Sequence, residues 1–217
     1  MESETRGGTR WKRFALVMVP SVAATAAIGV GLAQGALAAS FAVSGQEFKV
    51  KAGYLYGEGF AQYGGVDLGY VDTTGDEKVH RAVAISSFRY AEIEDMCQSV
   101  VSQVPFVGEI TLRLKAGGGS ERVKADNLYL DISQLDAKAE FTNIDIGVAA
   151  KETDPSRKGK GPVVKDKGIA NGFAQQAEVA KLWDVEQKAW ATTAGSFTLN
   201  GLSMRLLRGS GDGIECF

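Results

Sequence analysis

The feature of this sequence that most restricts its fold is an apolar alternation of period two. Ile110, Leu112 and Leu114 interleave with Thr111 and Arg113. Leu128, Leu130 and Ile132 interleave with Asn127, Tyr129 and Asp131, and Leu202, Met204 and Leu206 with Ser203 and Arg205. Phe41, Val43, Phe48 and Val50 continue the theme near the start. Successive side chains of a strand point to opposite faces, so each run describes a strand with one face against a core. The expected fold class is therefore mainly β, either an antiparallel sandwich or an elongated rolled sheet. Gly64-Gly65, Thr74-Gly75-Asp76 and Gly117-Gly118-Gly119 are expected to be turns between strands.

Internal repetition adds to this. Val50-Lys51-Ala52-Gly53-Tyr54-Leu55-Tyr56 returns as Val123-Lys124-Ala125-Asp126-Asn127-Leu128-Tyr129. Each copy leads on to a similar tetrapeptide, Val66-Asp67-Leu68-Gly69 and Ile144-Asp145-Ile146-Gly147. One structural unit used twice is the expectation. Two segments read less cleanly, and one or two short helices are allowed there. Ile93, Met96, Val100 and Val104 fall at helical spacing before Pro105, as do Ala177, Ala180 and Trp183. Yet both segments share an Ala-acid-x-x-x-apolar frame with Ala125-Asp126 to Leu130, which reads as strand. Helix and strand stay open over residues 90–104 and 173–190.

The N-terminus reads as a targeting segment. Arg6, Arg10, Lys12 and Arg13 precede an uncharged stretch, residues 14–39, that ends in Ala36-Leu37-Ala38, the small-residue pattern of signal-peptidase cleavage. Its length would also suit a retained transmembrane anchor, although Pro20, Gly29, Gly31 and Gly35 lower its helix propensity. Residues 1–38 are thus a signal peptide or membrane anchor, and residues 39–217 a single exported β-rich domain. Cys97 and Cys216 both fall in the exported part, where oxidising conditions sustain a disulfide, and they are expected to pair. Residues 151–168 carry six basic and three acidic side chains with Pro155, Pro162 and three glycines. They are expected to form an exposed loop.

The chemistry available is narrow. With 24 Lys and Arg against 26 Asp and Glu, the chain lacks the basic footprint of a nucleic-acid binder. One His and two Cys cannot furnish an ordinary zinc site, and no cofactor is implied. No Gly-x-Ser-x-Gly elbow occurs: Ser203 and Ser210 each have half of it, and His80 is the only imidazole available as a base.

Several segments carry a likeness: Ser40-Phe41-Ala42-Val43-Ser44-Gly45, Phe60-Ala61-Gln62-Tyr63-Gly64-Gly65-Val66-Asp67, Cys97-Gln98-Ser99-Val100, Trp190-Ala191-Thr192-Thr193-Ala194-Gly195 and Glu215-Cys216-Phe217. With these the chain resembles a family of exported actinobacterial proteins of uncharacterised function. Its members often carry the label cholesterol esterase, and their genes commonly neighbour one for a small multi-pass membrane protein. The resemblance implies that protein as a partner and a lipid as a ligand, and supplies no catalytic residues. Two readings follow. The first is a non-catalytic cell-envelope protein that meets lipid or a membrane partner through an apolar β-sheet face, with Tyr54, Tyr56, Phe60, Trp183 and Trp190 as contact residues. The second is a lipid or steryl ester hydrolase built on Ser203 or Ser210 and His80. The first is favoured because a hydrolase needs nucleophile, base and oxyanion site together.

Overall fold

A computed structural model describes residues 44–72, 75–160 and 167–217; the expected export segment lies outside them. The strands run Phe48–Tyr70 (β1), Lys78–Glu94 (β2), Met96–Val104 (β3), Gly108–Ala116 (β4), Val123–Thr142 (β5), Asp145–Ala149 (β6), Phe173–Thr193 (β7), Ser196–Thr198 (β8) and Ser203–Arg208 (β9). Every pairing between them is antiparallel. A 3-10 turn at Ala150–Glu152 and one helical turn at Lys167–Ala170 are the only helix among the described residues. Both ambiguous segments are strand: residues 90–104 form the end of β2 and all of β3, and residues 173–190 belong to β7.

β1, β2, β5 and β7 close into a ring, because β1 pairs with both β2 and β7 and β5 does the same from the other side. From Leu55, one route leads through Ile93 to Val123, and the other through Leu182 to Ala139, sixteen residues further along β5. Stagger and strand tilt together set the bore of a closed sheet, so this steep stagger lets only four strands surround a core. β6 extends the ring beside β7, β8 lies on β5, and β3, β4 and β9 continue as a three-stranded sheet from the start of β1.

The interior is filled mostly by Ala, Leu and Phe, among them Ala52, Leu55, Phe60, Phe88, Leu128 and Leu182. The void bordered by Val50, Leu55, Met96 and Val185 measures about 30 Å³, which suits a water and falls far short of the hundreds of Å³ that an acyl chain or sterol requires.

The helix-like spacing has a physical origin in these strands. Same-face residues of a regular strand are two apart, yet Ile93 and Met96, Ala125 and Leu128, and Leu182 and Val185 are all buried and three apart. Between each pair sits a residue in the left-handed conformation: Asp95 (φ 50°), Asn127 (φ 49°) and Asp184 (φ 53°). Such a residue turns the pleat over, as in a β-bulge, and returns the next apolar side chain to the same face. Asp and Asn tolerate this conformation better than other non-glycine residues. The two heptads are equivalent in this sense: Ala52 and Ala125, and Leu55 and Leu128, enter the same core.

Two expectations about loops are corrected. Gly64-Gly65 is not a turn but part of β1. The Ile85 side chain lies where a Cβ on Gly65 would be, 2.4 Å from its Cδ1, so the glycine provides room for packing. The described part of the basic loop, residues 151–160, is only partly exposed. Thr153 and Gly159 are buried, the Lys160 carbonyl accepts from Ser87 Oγ at 3.1 Å, and Gln176 Oε1 accepts from Asp154 N at 2.8 Å. This fold-back sets Gly159 against the Phe60–Ala61 backbone, and a second small cluster gathers Tyr63, Ala150 and Ala174.

Cys97 on β3 and Cys216 are bonded, with Cα atoms 5.8 Å apart and a sequence separation of 119. Every strand partner named above lies between Phe48 and Arg208, so residues 44–217 carry their own core.

Three outcomes are expected. Asp184→Val should cost about 1–2 kcal/mol in urea unfolding while Asp184→Gly is neutral or stabilising, because only the β-branched side chain resists the left-handed conformation. The Cys97→Ser/Cys216→Ser variant should lose about 4–5 kcal/mol, the chain-entropy value for a loop of this length. The native protein, denatured without reductant, should leave no thiol to react with a maleimide.

Candidate functional site

The sheet of β3, β4 and β9 has two unlike faces. Registers Val100↔Leu112↔Leu206 and Leu114↔Met204 gather Val100, Leu112, Leu114, Met204 and Leu206 on one face, with Ile110 beside them. Leu114 packs against the main core, so this apolar face continues the barrel interior outward. Nothing described covers its outer edge: Met204 is 60% and Leu206 73% exposed. The alternation of residues 202–206 was legible, but the expectation that it faces a core is wrong for β9. The opposite face is sealed at β3 by the C-terminal segment. Thr111 Oγ1 donates to Gly209 O at 2.6 Å, Arg113 Nη1 to Gly213 O at 2.7 Å, Cys216 N to Ser99 Oγ at 3.1 Å, and the disulfide joins them.

The β3–β4 hairpin ends in Val104-Pro105-Phe106-Val107, closed by Val107 N donating to Val104 O at 3.1 Å. Phe106 has φ 67° and is fully exposed. A turn with Pro second and positive φ third favours Gly or Asn at that third position. Phenylalanine there gains no packing and bears backbone strain, so folding does not account for it. Sequence reasoning used Pro105 only to stop a helix and missed Phe106; the available signal was an aromatic residue after a turn proline between two alternating runs.

The other candidate contacts are distributed differently. Phe60 is 4% exposed and packs between Phe88 and Phe141 at 5.4 and 5.2 Å between ring centroids, which makes it core. Tyr54, Tyr56 and Trp183 lie on the outer face of the ring within a lattice of charges. Tyr54 meets Trp183 at 5.6 Å, Arg122 lies over Tyr54 and Lys138 over Trp183. The Tyr56 hydroxyl donates to Glu58 at 2.9 Å, and Arg122 joins Glu92 and Glu94. These aromatics brace the surface without forming a continuous apolar patch. Trp190 is half-buried beneath Arg81, whose guanidinium lies 3.8 Å from the ring centroid.

The hydrolase residues are not brought together. Ser203 is exposed on β9 opposite Lys115, Ser210 donates to Glu109 Oε2 at 2.6 Å, and His80 is exposed on β2 opposite Leu68. No hydrogen bond joins the imidazole to either hydroxyl.

Two carboxyls are held away from water on the outer side of the ring. Asp131 is 7% exposed, and burial first, then the neighbouring Asp67, pushes its carboxyl up to about 7. Burial likewise raises Asp67, whose Oδ2 has no hydrogen-bond partner. Arg81 stands directly opposite Asp67 but donates instead to the carbonyls of Tyr70 and Val71 at 2.6 and 3.2 Å. Burial also raises the Tyr63 hydroxyl, with Tyr129 and Asp131 adding to it. Asp131 lies on the polar side of its alternating run, so sequence placed it in solvent, yet it is buried. Among the described residues no group of three or more His, Cys, Asp or Glu side chains is arranged to hold a metal.

Residues 44–217 match a family of unknown function, DUF6230. No curated protein and no solved structure matches the chain.

Two outcomes are expected. Phe106→Gly should raise stability by about 1 kcal/mol by relieving the left-handed phenylalanine, as measured by chemical denaturation. The Asp131 carboxyl keeps its proton in the fold from about pH 4, where the unfolded chain loses it, up to about 7. The unfolded state thus binds fewer protons across that window, and stability falls as pH rises through it, by at most ~1.4 kcal/mol per unit. Asp131→Asn should flatten this slope and gain more over the native protein at pH 7.5 than at pH 4.5.

Proposed function

This chain belongs to the DUF6230 family, and we propose that it is a non-catalytic cell-envelope protein that rests on a membrane through the apolar face of β3, β4 and β9. The observation that carries this reading is the uncovered row of Met204 and Leu206 on that face, with Phe106 fully exposed at the adjoining hairpin tip. Exposed apolar surface of this kind marks interaction sites more often than chance. Burying three such side chains contributes about 1.5–3 kcal/mol each, enough for reversible association and too little for permanent anchorage. The interior is filled, so the proposed lipid contact is external. β1 starts beside β3, with Lys49 opposite Ser99, so a retained hydrophobic segment over residues 14–38 would tether this same end of the domain. Export fits the disulfide, since oxidising compartments sustain such bonds.

Residues 39–217 should float with phosphatidylcholine–phosphatidylglycerol vesicles, and Met204→Asp/Leu206→Asp should reduce the bound fraction about tenfold or more. Absence of flotation by the native domain would remove the lipid contact. Flotation only with membranes that contain an integral protein would move the contact to such a partner. The steryl ester hydrolase reading predicts turnover of a chromogenic ester that is lost in His80→Ala, and the proposal expects no turnover in either protein.

A further inference from the structure

We infer that the polar face of the β4–β9 ribbon is a binding site for a phosphate-bearing anion, held by Arg113, Lys115 and Arg205 with the hydroxyl of Ser203. The pairing register sets Arg113 directly opposite Arg205, and Lys115 directly opposite Ser203. Like charges facing each other across a strand pair are destabilising, so folding alone gains nothing from this arrangement. Some basic groups elsewhere are matched, Arg122 by Glu92 and Glu94, Arg157 by Glu178, Lys158 by Asp145 and Lys49 by Glu215. None of Arg113, Lys115 and Arg205 takes part in an ion pair among the described residues. Three uncompensated cations thus sit side by side in a chain whose net charge is -2.

These residues form a place as well as a charge. Arg113, Lys115, Ser203 and Arg205 line a recess of about 140 Å³. Arg113 is fixed there, since its Nη1 donates to the carbonyls of Gly213 and Ile214 at 2.7 and 3.1 Å. The recess contains no carboxylate. It adjoins a wider groove of about 400 Å³ beside the Cys97–Cys216 bridge, which shares Arg113 and Lys115. Asp95 and Glu215 border that groove, with Glu215 tied to Lys49 at 2.9 Å. Two guanidinium forks, an ammonium and a hydroxyl offer more donors than the two oxygens of a carboxylate can use, whereas a phosphate presents at least three acceptor oxygens. The groove leaves room for whatever the phosphate is attached to.

The site stands on these charges and is independent of the membrane reading, because the phosphate can belong to a lipid headgroup or to a soluble molecule. The full chain in neutral detergent, titrated with pyrophosphate and followed by amide shifts of the β4–β9 ribbon, should show saturable changes if a soluble phosphate is accepted. Nanodiscs of phosphatidylglycerol, compared with phosphatidylcholine, should show them if only a headgroup is accepted. In whichever arm responds, Lys115→Ala/Arg205→Ala should weaken binding about tenfold or more, the size of a lost charge-assisted contact. Thermal unfolding of the double variant, expected to equal or exceed the native midpoint, shows that it folds. Silence in both arms, or binding that survives the double substitution, overturns the site.

Discussion

Closing four antiparallel strands around a packed interior demands a steep stagger, and a steep stagger demands strands long enough to wrap. β1, with 23 residues, and β7, with 21, are far beyond the usual five or six. A strand of that length keeps one face inward only if its pleat is reset as it coils. Asp95, Asn127 and Asp184 perform that reset, each in the left-handed conformation and each between two buried residues three apart. Where two paired strands turn over together the register survives: Ala52 pairs with Val185 and Tyr54 with Trp183 on either side of Gly53 and Asp184. The core, the ring and the placement of the side sheet all follow from these few backbone positions.

The side sheet shows what happens when strands leave the ring. β3 and β4 keep an apolar face that merges with the core through Leu114, and β9 extends it to an edge with nothing against it. The C-terminal segment and the disulfide seal part of the opposite face, leaving the β4–β9 cations open. A flat element with apolar groups on one side and cations on the other has the charge distribution of an interfacial amphipathic segment. The membrane reading and the anion site draw on separate faces of the same two strands. The interior of the ring is packed, with a void of about 30 Å³ against the hundreds that an acyl chain requires.

Some of this was legible in the residues. The alternation at Ile110 to Leu114 and Leu128 to Ile132 identified strands because a period of two survives any tertiary arrangement. The heptads identified equivalent strand segments, and two cysteines left one pairing. Over residues 90–104 helix and strand stayed open because a left-handed residue, Asp95, converts a spacing of two into three, which a helix shares. Gly64-Gly65 looked like a turn because a local reading does not see Ile85 across the pair. Phe60 and Trp183 were alike as aromatics, and only packing separates a core ring from one in a surface lattice.

What the sequence determined by itself was therefore the local periodicity and the inventory of groups: strands, turns at some glycines, one disulfide, little catalytic chemistry. Those depend on neighbours along the chain. Tertiary structure alone decided that the strands close into a ring, that Asp131 leaves water, that Met204 and Leu206 remain in it, and that Arg113 faces Arg205. Each of these depends on which segments, in the ring well over a hundred residues apart, come to lie across from one another, and no property of a single run of residues encodes that pairing.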